Sequence, residues 1–389
     1  MASLAVMPGD DLQDKIAWTG KRGGGEIALS EGHVHPDVLT ITGSGTTLRG
    51  ESKQATSVRC KGLRVSGMGH TVHDLWLYNN EFTDDPSARI LDVRNCVQCH
   101  FYGLNLNGGY HALAVTGNGC ADNTFERISA TFSYGTALYY VASGASSIHF
   151  RRVLGNQEYP MQWDGDLTVP DASAYKDWKA GTQFTRGDIV QHGQYWYRCK
   201  TSGVSQQGPI PTAYHQDIPD GTATWRFMCH AAYRGFHADT GSSIIRLDGA
   251  SDFTGPFINA VEISNYLGGQ IPWDVQIDNV TAHGPIYNGL CMVDGREVEI
   301  RRFNSYARTG PGVGYGIALC GGDDVEVHSP KLYGWPVGMY VGLEGTPVFG
   351  GTIAGCQIGI QHFGPLNAYG TRYESKGRGK TVTPTQQMS

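Results

Sequence analysis

Residues 289–295 read GLCMVDG, and a similar heptad returns as GIALCGG at residues 316–322 and as GMYVGLE at residues 338–344. Each copy has a glycine, an aliphatic residue, an arbitrary residue and a second aliphatic residue. Alternation of this kind indicates a half-buried β-strand. Its return at a near-constant interval predicts a repeat architecture, in which each unit buries its apolar face on the next.

The repeat can be followed through most of the chain by marking the first aliphatic or aromatic residue of each copy. The series is Leu91, Leu113, Leu138, Phe236, Val261, Leu290, Ile317 and Met339. Outside the gap between residues 138 and 236, the intervals are 22 to 29 residues. A second series of strand-like segments lies between the copies of the first, so each interval holds at least two strands. This period is too short for a four-stranded propeller blade and lacks the helix of a leucine-rich repeat, which leaves a parallel β-helix with two or three short strands per turn.

The beginning of the chain agrees with this interpretation. The segments PGDDLQDKI, GGGEIALSEGHV and LTITGSGTTLRGE resemble the opening turns of the pectate-lyase-like β-helix superfamily. That resemblance implies a right-handed helix of strands whose first turn is covered by a short α-helix. The 54 glycines and the low charged fraction of 17% also fit an all-β chain with many tight turns.

An insertion interrupts the repeat, because 98 residues separate Leu138 from Phe236 where two turns need about 50. We therefore predict three parts: a cap with the first turns (1–172), an inserted all-β module (173–228) and the remaining turns with a C-terminal tail (229–389). The insert reads W-x-x-G-x-x-F-x-x-G-D-x-V-x-x-G-x-x-W-x-x-C from residue 178. This pattern resembles a small module that recurs in bacteriophage tail spikes and tail fibres, and more distantly a chitin-binding type of carbohydrate-binding module.

The insert is dense in aromatic residues: Trp178, Tyr195, Trp196, Tyr197 and Trp225. So many large rings exceed what a core of fifty residues easily buries, and exposed rings offer flat faces to sugars. We therefore predict that some of them bind a glycan, with Trp178, Tyr195 and Tyr197 as the candidates. The alternative is that these rings build a small core without disulfides or contact a neighbouring subunit.

Alignment of the repeats predicts which residues share the outer face. Equivalent outward positions on successive turns lie about 4.8 Å apart, so distant residues form one column. The arbitrary residue of the repeat is His237, Glu262, Cys291, Ala318 and Tyr340 on successive turns. Asp239 comes two residues after His237. We expect His237, Asp239 and Glu262 to share one exposed patch just after the insert.

These residue types suit the cleavage of a polysaccharide. Glycoside hydrolysis needs two carboxylates roughly 5 to 9 Å apart, and adjacent turns supply that range. A lyase would instead need a base and a cation that neutralises a uronate, for which His237, Tyr233 and Arg234 are available. The alternative for any one of these residues is that it is an ordinary polar side chain exposed to solvent.

Further candidates lie elsewhere. Asp248 is an additional catalytic candidate in the second series of strands. The remaining candidates for glycan binding are Trp273 and the residues of the QEYPMQWDGD segment, namely Tyr159, Trp163, Asp164 and Asp166. No stretch matches the calcium-binding aspartates of pectate lyases or the aspartate-proline-histidine motif of mannuronan epimerases, so we predict neither a metal nor another cofactor.

Net charge, hydropathy and cysteine spacing limit the classes of function that fit this chain. The net charge of −6 argues against nucleic acid as a partner, because phosphate binding needs a clustered basic surface. No stretch of 18 apolar residues occurs, which argues against membrane insertion, and the start of the chain lacks the pattern of a signal peptide. Nine cysteines sit singly on strand-like segments and are expected to be reduced.

The chain therefore resembles a bacteriophage tail-spike depolymerase of the β-helix superfamily, which binds and cleaves a bacterial capsule or exopolysaccharide, with hydrolysis slightly favoured over elimination. The resemblance implies a homotrimer in the virion, which acts at the host cell surface and contacts other phage tail proteins. Two alternatives stay open: a receptor-binding spike without catalysis, and a bacterial polysaccharide lyase or epimerase.

Overall fold

The structure, a computed structural model, describes residues 3–156, 175–211, 216–230, 233–255, 257–266, 268–285, 287–307, 314–343, 345–362, 367–370 and 372–374. It is all-β, with 57% strand and 3% helix, and forms a right-handed parallel β-helix of about 13 turns with a small inserted all-β domain. The predicted fold class is confirmed. Within the described parts of the chain, no helix has the length and apolar character needed to cross a membrane.

Three ladders of parallel strands make the walls of the β-helix, and a complete turn visits ladder A, then ladder B, then ladder C. Ladder A consists of Val38–Ile41, Gly62–Met68, Arg89–Val97, His111–Thr116, Ala137–Ala142, Arg234–Ala238, Asn259–Ile263, Asn288–Met292, Tyr315–Leu319, Val337–Val341 and Ile358–His362. Ladder B consists of Ser3–Val6, Gly25–Leu29, Thr46–Arg49, Thr71–His73, His100–Tyr102, Ala121–Glu126, Ser146–Arg151, Ser243–Asp248, Trp273–Asp278, Arg296–Arg301, Asp323–His328, Pro347–Phe349 and Asn367–Tyr369. Ladder C consists of His33–Val34, Ser57–Arg59, Trp76–Asn79, Asn105–Gly108, Ser129–Phe132, Leu154–Asn156, Ser251–Thr254, Val280–His283, Asn304–Tyr306, Lys331–Tyr333, Thr352–Ala354 and Arg372–Glu374.

The core is a set of apolar columns that run along the inside of each ladder. In ladder A the inward column is Leu63, Leu91, Leu113, Tyr139, Phe236, Val261, Leu290, Ile317, Met339 and Ile360. The predicted alignment is confirmed on seven of its eight turns. It is wrong at Leu138, because Leu113 pairs with Tyr139. The segment A-L-Y-Y-V-A offers several apolar residues in a row, and the alternation alone does not choose between them.

The corner after ladder B has the same backbone geometry on most turns. On these turns the residue that follows the strand takes a left-handed conformation, as at Asp74, Arg127, Asn279 and Arg302, with φ between 48° and 56°. Such φ values are uncommon outside glycine. Here the bend lets the N–H of the corner residue continue the ladder, since Arg127 N–H donates to the carbonyl of Arg151 at 3.0 Å.

One helix, Leu12–Gly20, covers the open end of ladder A. Asp11 caps it by accepting a hydrogen bond from the Asp14 N–H at 3.0 Å. The Gln13 side chain pairs with both backbone groups of Thr40, at 2.7 and 3.2 Å. The helix therefore covers the free edge of Val38–Ile41, the first strand of ladder A, and hinders its pairing with another chain.

The insert forms a separate sheet between the turn that contains Ala137–Ala142 and the turn that contains Arg234–Ala238. In order across the sheet, its strands are Tyr175–Asp177, Ile189–His192, Tyr195–Thr201, Ala223–His230 and Ile218–Asp220. A two-stranded pair, Gln183–Phe184 and Gly203–Val204, lies beside it. Ladder C passes from Leu154–Asn156 directly to Ser251–Thr254, so the insert leaves the stacking of the turns intact.

Leu290→Ala should destabilise the β-helix, because this side chain is fully buried between Val261 and Ile317. Removing a buried leucine costs about 2–5 kcal/mol through lost burial and the cavity left behind. We expect a lower midpoint of guanidinium denaturation, followed by circular dichroism. Val293→Ala is the matched control, since Val293 is 36% exposed on the same turn. Equal midpoints for the two variants would contradict the inward stack.

Candidate functional site

The outward column of ladder A brings the predicted site residues onto neighbouring turns. Tyr140 pairs with His237, His237 with Glu262, and Glu262 with Cys291. Ala318 and Tyr340 continue the column as predicted. The prediction that the column runs in register is confirmed.

The expectation that this patch is exposed is wrong. His237 and Asp239 are each 3% exposed and Glu262 is fully buried, although all three lie outside the core of the β-helix. The physical reason is a segment that follows Ile263 and packs over them. The site is therefore a buried polar cluster beneath the outer surface.

Glu262 is held by a cation and an amide. Arg234 Nε donates to Glu262 Oε2 at 2.5 Å, and Asn259 Nδ2 donates to the same oxygen. Asn288 on the next turn donates to Asn259 Oδ1 at 2.7 Å, which orients that amide. The other carboxylate oxygen, Glu262 Oε1, has no hydrogen-bond partner among the described residues. A buried carboxylate oxygen without a partner is unusual and points to a ligand or a water molecule at this position.

His237 lies between the two carboxylates. Its Nε2 is 3.8 Å from Glu262 Oε1, 3.9 Å from Asp239 Oδ2 and 2.7 Å from the Ser264 hydroxyl. Both carboxylates therefore approach the same ring nitrogen, so these two oxygens are at most about 8 Å apart, which is below the upper end of the roughly 5 to 9.5 Å used in glycoside hydrolysis. His237 Nδ1 has no hydrogen-bond partner in the described part of the structure.

Both carboxylate oxygens of Asp239 accept hydrogen bonds, whereas only one oxygen of Glu262 does. Its Oδ1 accepts hydrogen bonds from the backbone N–H of Thr240 at 2.7 Å and of Tyr266 at 3.2 Å. Its Oδ2 accepts one from the Tyr140 hydroxyl at 3.2 Å. Asp239 thus ties the strand Arg234–Ala238 to the segment that covers the cluster.

The protonation state of the imidazole follows from its surroundings. Burial lowers the pKa of His237 well below its ordinary value, and the positive charge of Arg234 lowers it further. His237 is therefore neutral near pH 7, with one nitrogen able to accept a proton. Burial raises the pKa of Tyr140, and the neighbouring Asp239 adds to this effect, so Tyr140 keeps its proton and donates.

Tyr266 connects the cluster with solvent. It is 57% exposed, and the Arg234 guanidinium carbon lies 5.0 Å from the centre of its ring. The segment is attached to the turn below through Thr240 Oγ1 and Asn265 Oδ1 at 2.8 Å, and through the Gly241 N–H and the Gln270 carbonyl at 2.7 Å. An aromatic ring above an arginine gives a flat surface of the kind that packs against a sugar.

The other candidates lie apart from the cluster. Asp248 is on ladder B, where it pairs with His149 Nε2 at 2.9 Å, so it does not join the carboxylates on ladder A. Trp273 begins the next strand of ladder B and is 41% exposed, as a sugar-binding residue should be. The predicted residues Tyr159, Trp163, Asp164 and Asp166 lie outside the described residues.

The expected exposure of the insert aromatics is wrong for Tyr195 and Tyr197. Tyr195 is 8% exposed and Tyr197 is fully buried, which leaves no ring face for a sugar. Their burial agrees instead with the alternative interpretation, in which the rings of the insert build a small core. That core is enlarged by residues from outside the insert: Phe82, Phe132 and Tyr134. Trp178 is only half-buried, and its indole N–H is bound to Ser205 and, at 3.2 Å, to Asp220.

One group of side chains on ladder B could hold a metal ion. Glu299, Glu326 and His328 place one ligand atom each within 4.8 Å of one another. Arg301 Nε donates to Glu299 at 2.6 Å and so already neutralises one of these carboxylates.

Sequence reasoning missed four members of the cluster: Tyr140, Asn259, Tyr266 and Asn288. A signal for the asparagines was present, because N-A-V-E and N-G-L-C begin two successive copies of the repeat at Asn259 and Asn288. No periodic signal marks Tyr266, because it lies in the segment between two strands.

Comparisons with known proteins identify similar folds at low identity. No protein-family model and no curated sequence matches this chain. The A-module of the mannuronan C-5 epimerase AlgE4 of Azotobacter vinelandii is 13% identical, with 99% of this chain and 98% of that chain covered and a TM-score of 0.45. The surface adhesin PfbA of Streptococcus pneumoniae is 9% identical, with 100% and 96% covered and a TM-score of 0.49. The GH87 α-1,3-glucanase of Streptomyces thermodiastaticus is 10% identical, with 99% and 69% covered and a TM-score of 0.44. Such identities do not carry function from one chain to another.

Glu262→Gln should destabilise the protein, because it leaves the Arg234 charge buried without its counter-ion. Breaking a buried ion pair from one side costs about 3–5 kcal/mol. The double variant Arg234→Gln, Glu262→Gln should recover part of this loss, since no unpaired charge remains. Chemical denaturation of the wild type, both single variants and the double variant measures the coupling between the two side chains. Additive losses would show that the ion pair contributes nothing.

His111, stacked at 4.8 Å on the Tyr140 ring, should make stability depend on pH. Burial lowers its pKa to about 3, whereas an unfolded histidine titrates near 6.5. Its contribution to stability is therefore complete above about pH 6.5 and is lost as the pH falls toward 3, because only the unfolded chain takes up the proton. In His111→Gln, the slope of the unfolding free energy against pH between about 4 and 6 should fall by about 1.4 kcal/mol per pH unit. Parallel pH profiles for the variant and the wild type would contradict this.

Proposed function

We propose that this chain is a bacteriophage tail-spike depolymerase that binds and cleaves a bacterial surface polysaccharide on the outer face of ladder A. The observation that carries the proposal is the buried cluster of Arg234, His237, Asp239 and Glu262 at outward positions of adjacent turns. Buried charges cost stability, and a carboxylate oxygen without a partner costs more. Clusters of this kind are concentrated at functional sites.

In the proposed hydrolysis, Glu262 and Asp239 are the two carboxylates. Glu262 Oε1 lies 3.8 Å from His237 Nε2 and has no hydrogen-bond partner among the described residues, so in the proposal it takes a proton from water or attacks the sugar, while Arg234 fixes the other oxygen of the same carboxylate. Asp239, in its protonated form, gives its proton to the leaving glycosidic oxygen and becomes the carboxylate. The neutral His237 lies between them, with its Nε2 3.8 Å from Glu262 Oε1 and 3.9 Å from Asp239 Oδ2. In the proposal these distances shorten to about 2.6–3.2 Å when substrate binds, and His237 then passes a proton between the carboxylates.

Access of the substrate requires movement of the covering segment. Tyr266 belongs to it, and Gly268 and Gly269 have positive φ values of 70° and 109°. Glycine adopts such conformations without strain, so these residues suit a hinge. In the proposal, glycan binding displaces Tyr266 from Arg234 and exposes Glu262.

A second candidate function is glycan binding without cleavage. The observation in its favour is the nearly complete set of partners around Asp239, which is typical of a carboxylate with a structural role. Tyr266 and Trp273 would then be the principal glycan contacts, since both are exposed. The proposal in either form includes the homotrimer, the attachment to other tail proteins and the location in the virion, which follow from the resemblance of the insert to tail-spike modules.

The proposal is tested by incubating the protein with a panel of bacterial capsules and exopolysaccharides. We expect new reducing ends without a rise in absorbance near 232 nm, because hydrolysis forms no double bond. Glu262→Gln should lower the rate by at least about 10²-fold, given the usual contribution of a general acid or base. Glu297→Gln is the matched control, because it removes an exposed carboxylate on ladder B that belongs to neither the cluster nor the candidate metal group.

Far-ultraviolet circular dichroism of both variants separates loss of activity from loss of fold. Tight binding without new chain ends on any glycan would favour the receptor-binding function. A rise in absorbance would identify elimination instead. Wild-type rates in folded Glu262→Gln would remove this cluster from the mechanism.

A further inference from the structure

Three arginines surround one aspartate on the outer face of ladder A, near the end that the helix covers. Arg64 Nε donates to Asp92 Oδ2 at 3.0 Å, and Arg94 Nε donates to Asp92 Oδ1 at 2.8 Å. Arg89 Nη1 donates to Asp92 Oδ1 at 3.0 Å. Arg64 and Asp92 are paired on adjacent strands, and Arg94 follows two residues after Asp92. We call these four residues the arginine cluster.

The arginine cluster holds more positive charge than its carboxylate balances. Burial raises the pKa of Asp92, but the hydrogen bond from Arg94 and the charge of Arg89 outweigh this effect and lower the pKa below its ordinary value, so Asp92 is ionised. Among the residues that the structure describes, Asp92 is the only carboxylate that forms an ion pair with any of the three arginines. Asp85 attracts Arg89 from further away and is hydrogen-bonded to Ser87. Two of the three positive charges therefore have no bonded counter-ion.

Arg64 and Arg94 keep most of their hydrogen-bond donors unused. Each contacts Asp92 through Nε, and the terminal nitrogens Nη1 and Nη2 of both side chains form no hydrogen bond within the described part of the chain. The two side chains are 39% and 36% exposed. Both Nε atoms also approach the same oxygen, Asp92 Oδ2, at 3.0 and 2.7 Å, so they are at most about 6 Å apart. One small anionic group can therefore contact both guanidinium groups.

Arg89 has a different environment from the other two arginines. Its side chain is 14% exposed, and it donates to the Thr116 hydroxyl at 3.1 Å and to a backbone carbonyl at 3.2 Å, in addition to Asp92. These contacts fix Arg89 and hold the Asp92 carboxylate in place. Asp92 in turn orients the two exposed arginines through their Nε atoms.

The chemistry of the exposed arginines identifies the class of ligand. A guanidinium group is planar, always charged, and matches the geometry of a carboxylate through two parallel hydrogen bonds. An anion bound between Arg64 and Arg94 would also relieve the repulsion between their charges. The small extent of the arginine cluster and the net charge of −6 favour a single acidic sugar over nucleic acid, which needs a larger basic surface.

The arginine cluster and the carboxylates proposed for hydrolysis lie on the same outward column. Asp92 pairs with Ala114, Ala114 with Tyr140, Tyr140 with His237, and His237 with Glu262. Four steps of about 4.8 Å place Asp92 roughly 19 Å from Glu262 along the axis of the β-helix. A glycan that extends along ladder A can therefore contact both sites.

We propose that Arg64 and Arg94 form a subsite for the carboxylate of an acidic sugar, and that the polysaccharide bound along ladder A is therefore anionic. This inference rests on the proposed function, since it places the same glycan at Glu262. Asp92 and Arg89 are positioning residues, which hold the two exposed guanidinium groups next to each other. The subsite contributes binding energy and lies too far from Glu262 to act on the glycosidic bond that is cleaved there.

The test is affinity electrophoresis in the cold, in gels that contain polygalacturonate, hyaluronan or alginate, and in gels that contain the carboxyl-reduced form of each. We expect at least one acidic polysaccharide to retard the wild type, and its reduced form to retard it much less. Added salt should weaken this retardation, because charges that are partly exposed are screened. The double variant Arg64→Gln, Arg94→Gln should bind at least about 10-fold more weakly, because the charge-assisted hydrogen bonds are lost.

The matched control is the double variant Arg49→Gln, Arg59→Gln, which removes the same charge from ladders B and C. It should be retarded like the wild type, and circular dichroism should show that both double variants are folded. The subsite would be overturned by equal retardation of the two double variants, by equal retardation in acidic and carboxyl-reduced gels, or by no retardation in any acidic gel.

Failure of the subsite and failure of the proposed function give different results. Retardation that depends on Arg64 and Arg94, without new chain ends in any polysaccharide, would support the subsite and remove the depolymerase function. Cleavage of neutral polysaccharides alone, without retardation by acidic ones, would support the depolymerase and remove the subsite.

Discussion

The structure depends on parallel pairing of each turn with the next, in constant register. Pairing sets the spacing between turns, and the inward side chains follow it: Phe101, Phe125 and Phe150 stack on ladder B with ring centres 4.9 and 4.8 Å apart. Each turn therefore buries its apolar residues only because its neighbours do the same. The left-handed residues at the corners let this pairing continue through the bends, as at Arg127. A column of outward residues results at no further conformational cost, and the polar cluster is built on that column.

The cluster shows how stacked turns build a polar site from the side chains of adjacent strands. Arg234, Glu262 and Asn259 come from two adjacent turns: the Arg234–Glu262 hydrogen bond joins the turns, and the Asn259–Glu262 hydrogen bond lies within one strand. Asn288 extends this network to a third turn. Arg234 and Glu262 are paired, which limits the cost of their burial, but Glu262 Oε1 and His237 Nδ1 have no hydrogen-bond partner among the residues that the structure describes.

The sequence predicts the periodic part of this structure and not the rest. Glycine-aliphatic alternation correctly placed His237 beside Glu262, because strand pairing transmits register from one turn to the next. Burial of the pair was not predictable, since it depends on the segment around Tyr266, whose path is set by tertiary contacts such as its N–H bond to Asp239. The insert was misjudged for a similar reason. Counting its rings against its own length ignored Phe82, Phe132 and Tyr134, which the β-helix contributes to the same core.

The position of the insert explains why the cluster can lie immediately after it. The chain returns to ladder A through Tyr233, which is fully buried, shares a hydrogen bond of 3.1 Å with the Ser133 hydroxyl and stacks on Phe257 at 5.5 Å. Arg234 is the next residue, and its strand pairs with Ala137–Ala142 on one side and Asn259–Ile263 on the other. The strand that carries Arg234 is thus paired within the β-helix on both sides. Tyr233, the residue before Arg234, is held there as well. Tyr233 fixes the position at which the chain re-enters ladder A after the insert. A module of about fifty residues can therefore be inserted between two strands without changing the geometry of Arg234 and Glu262.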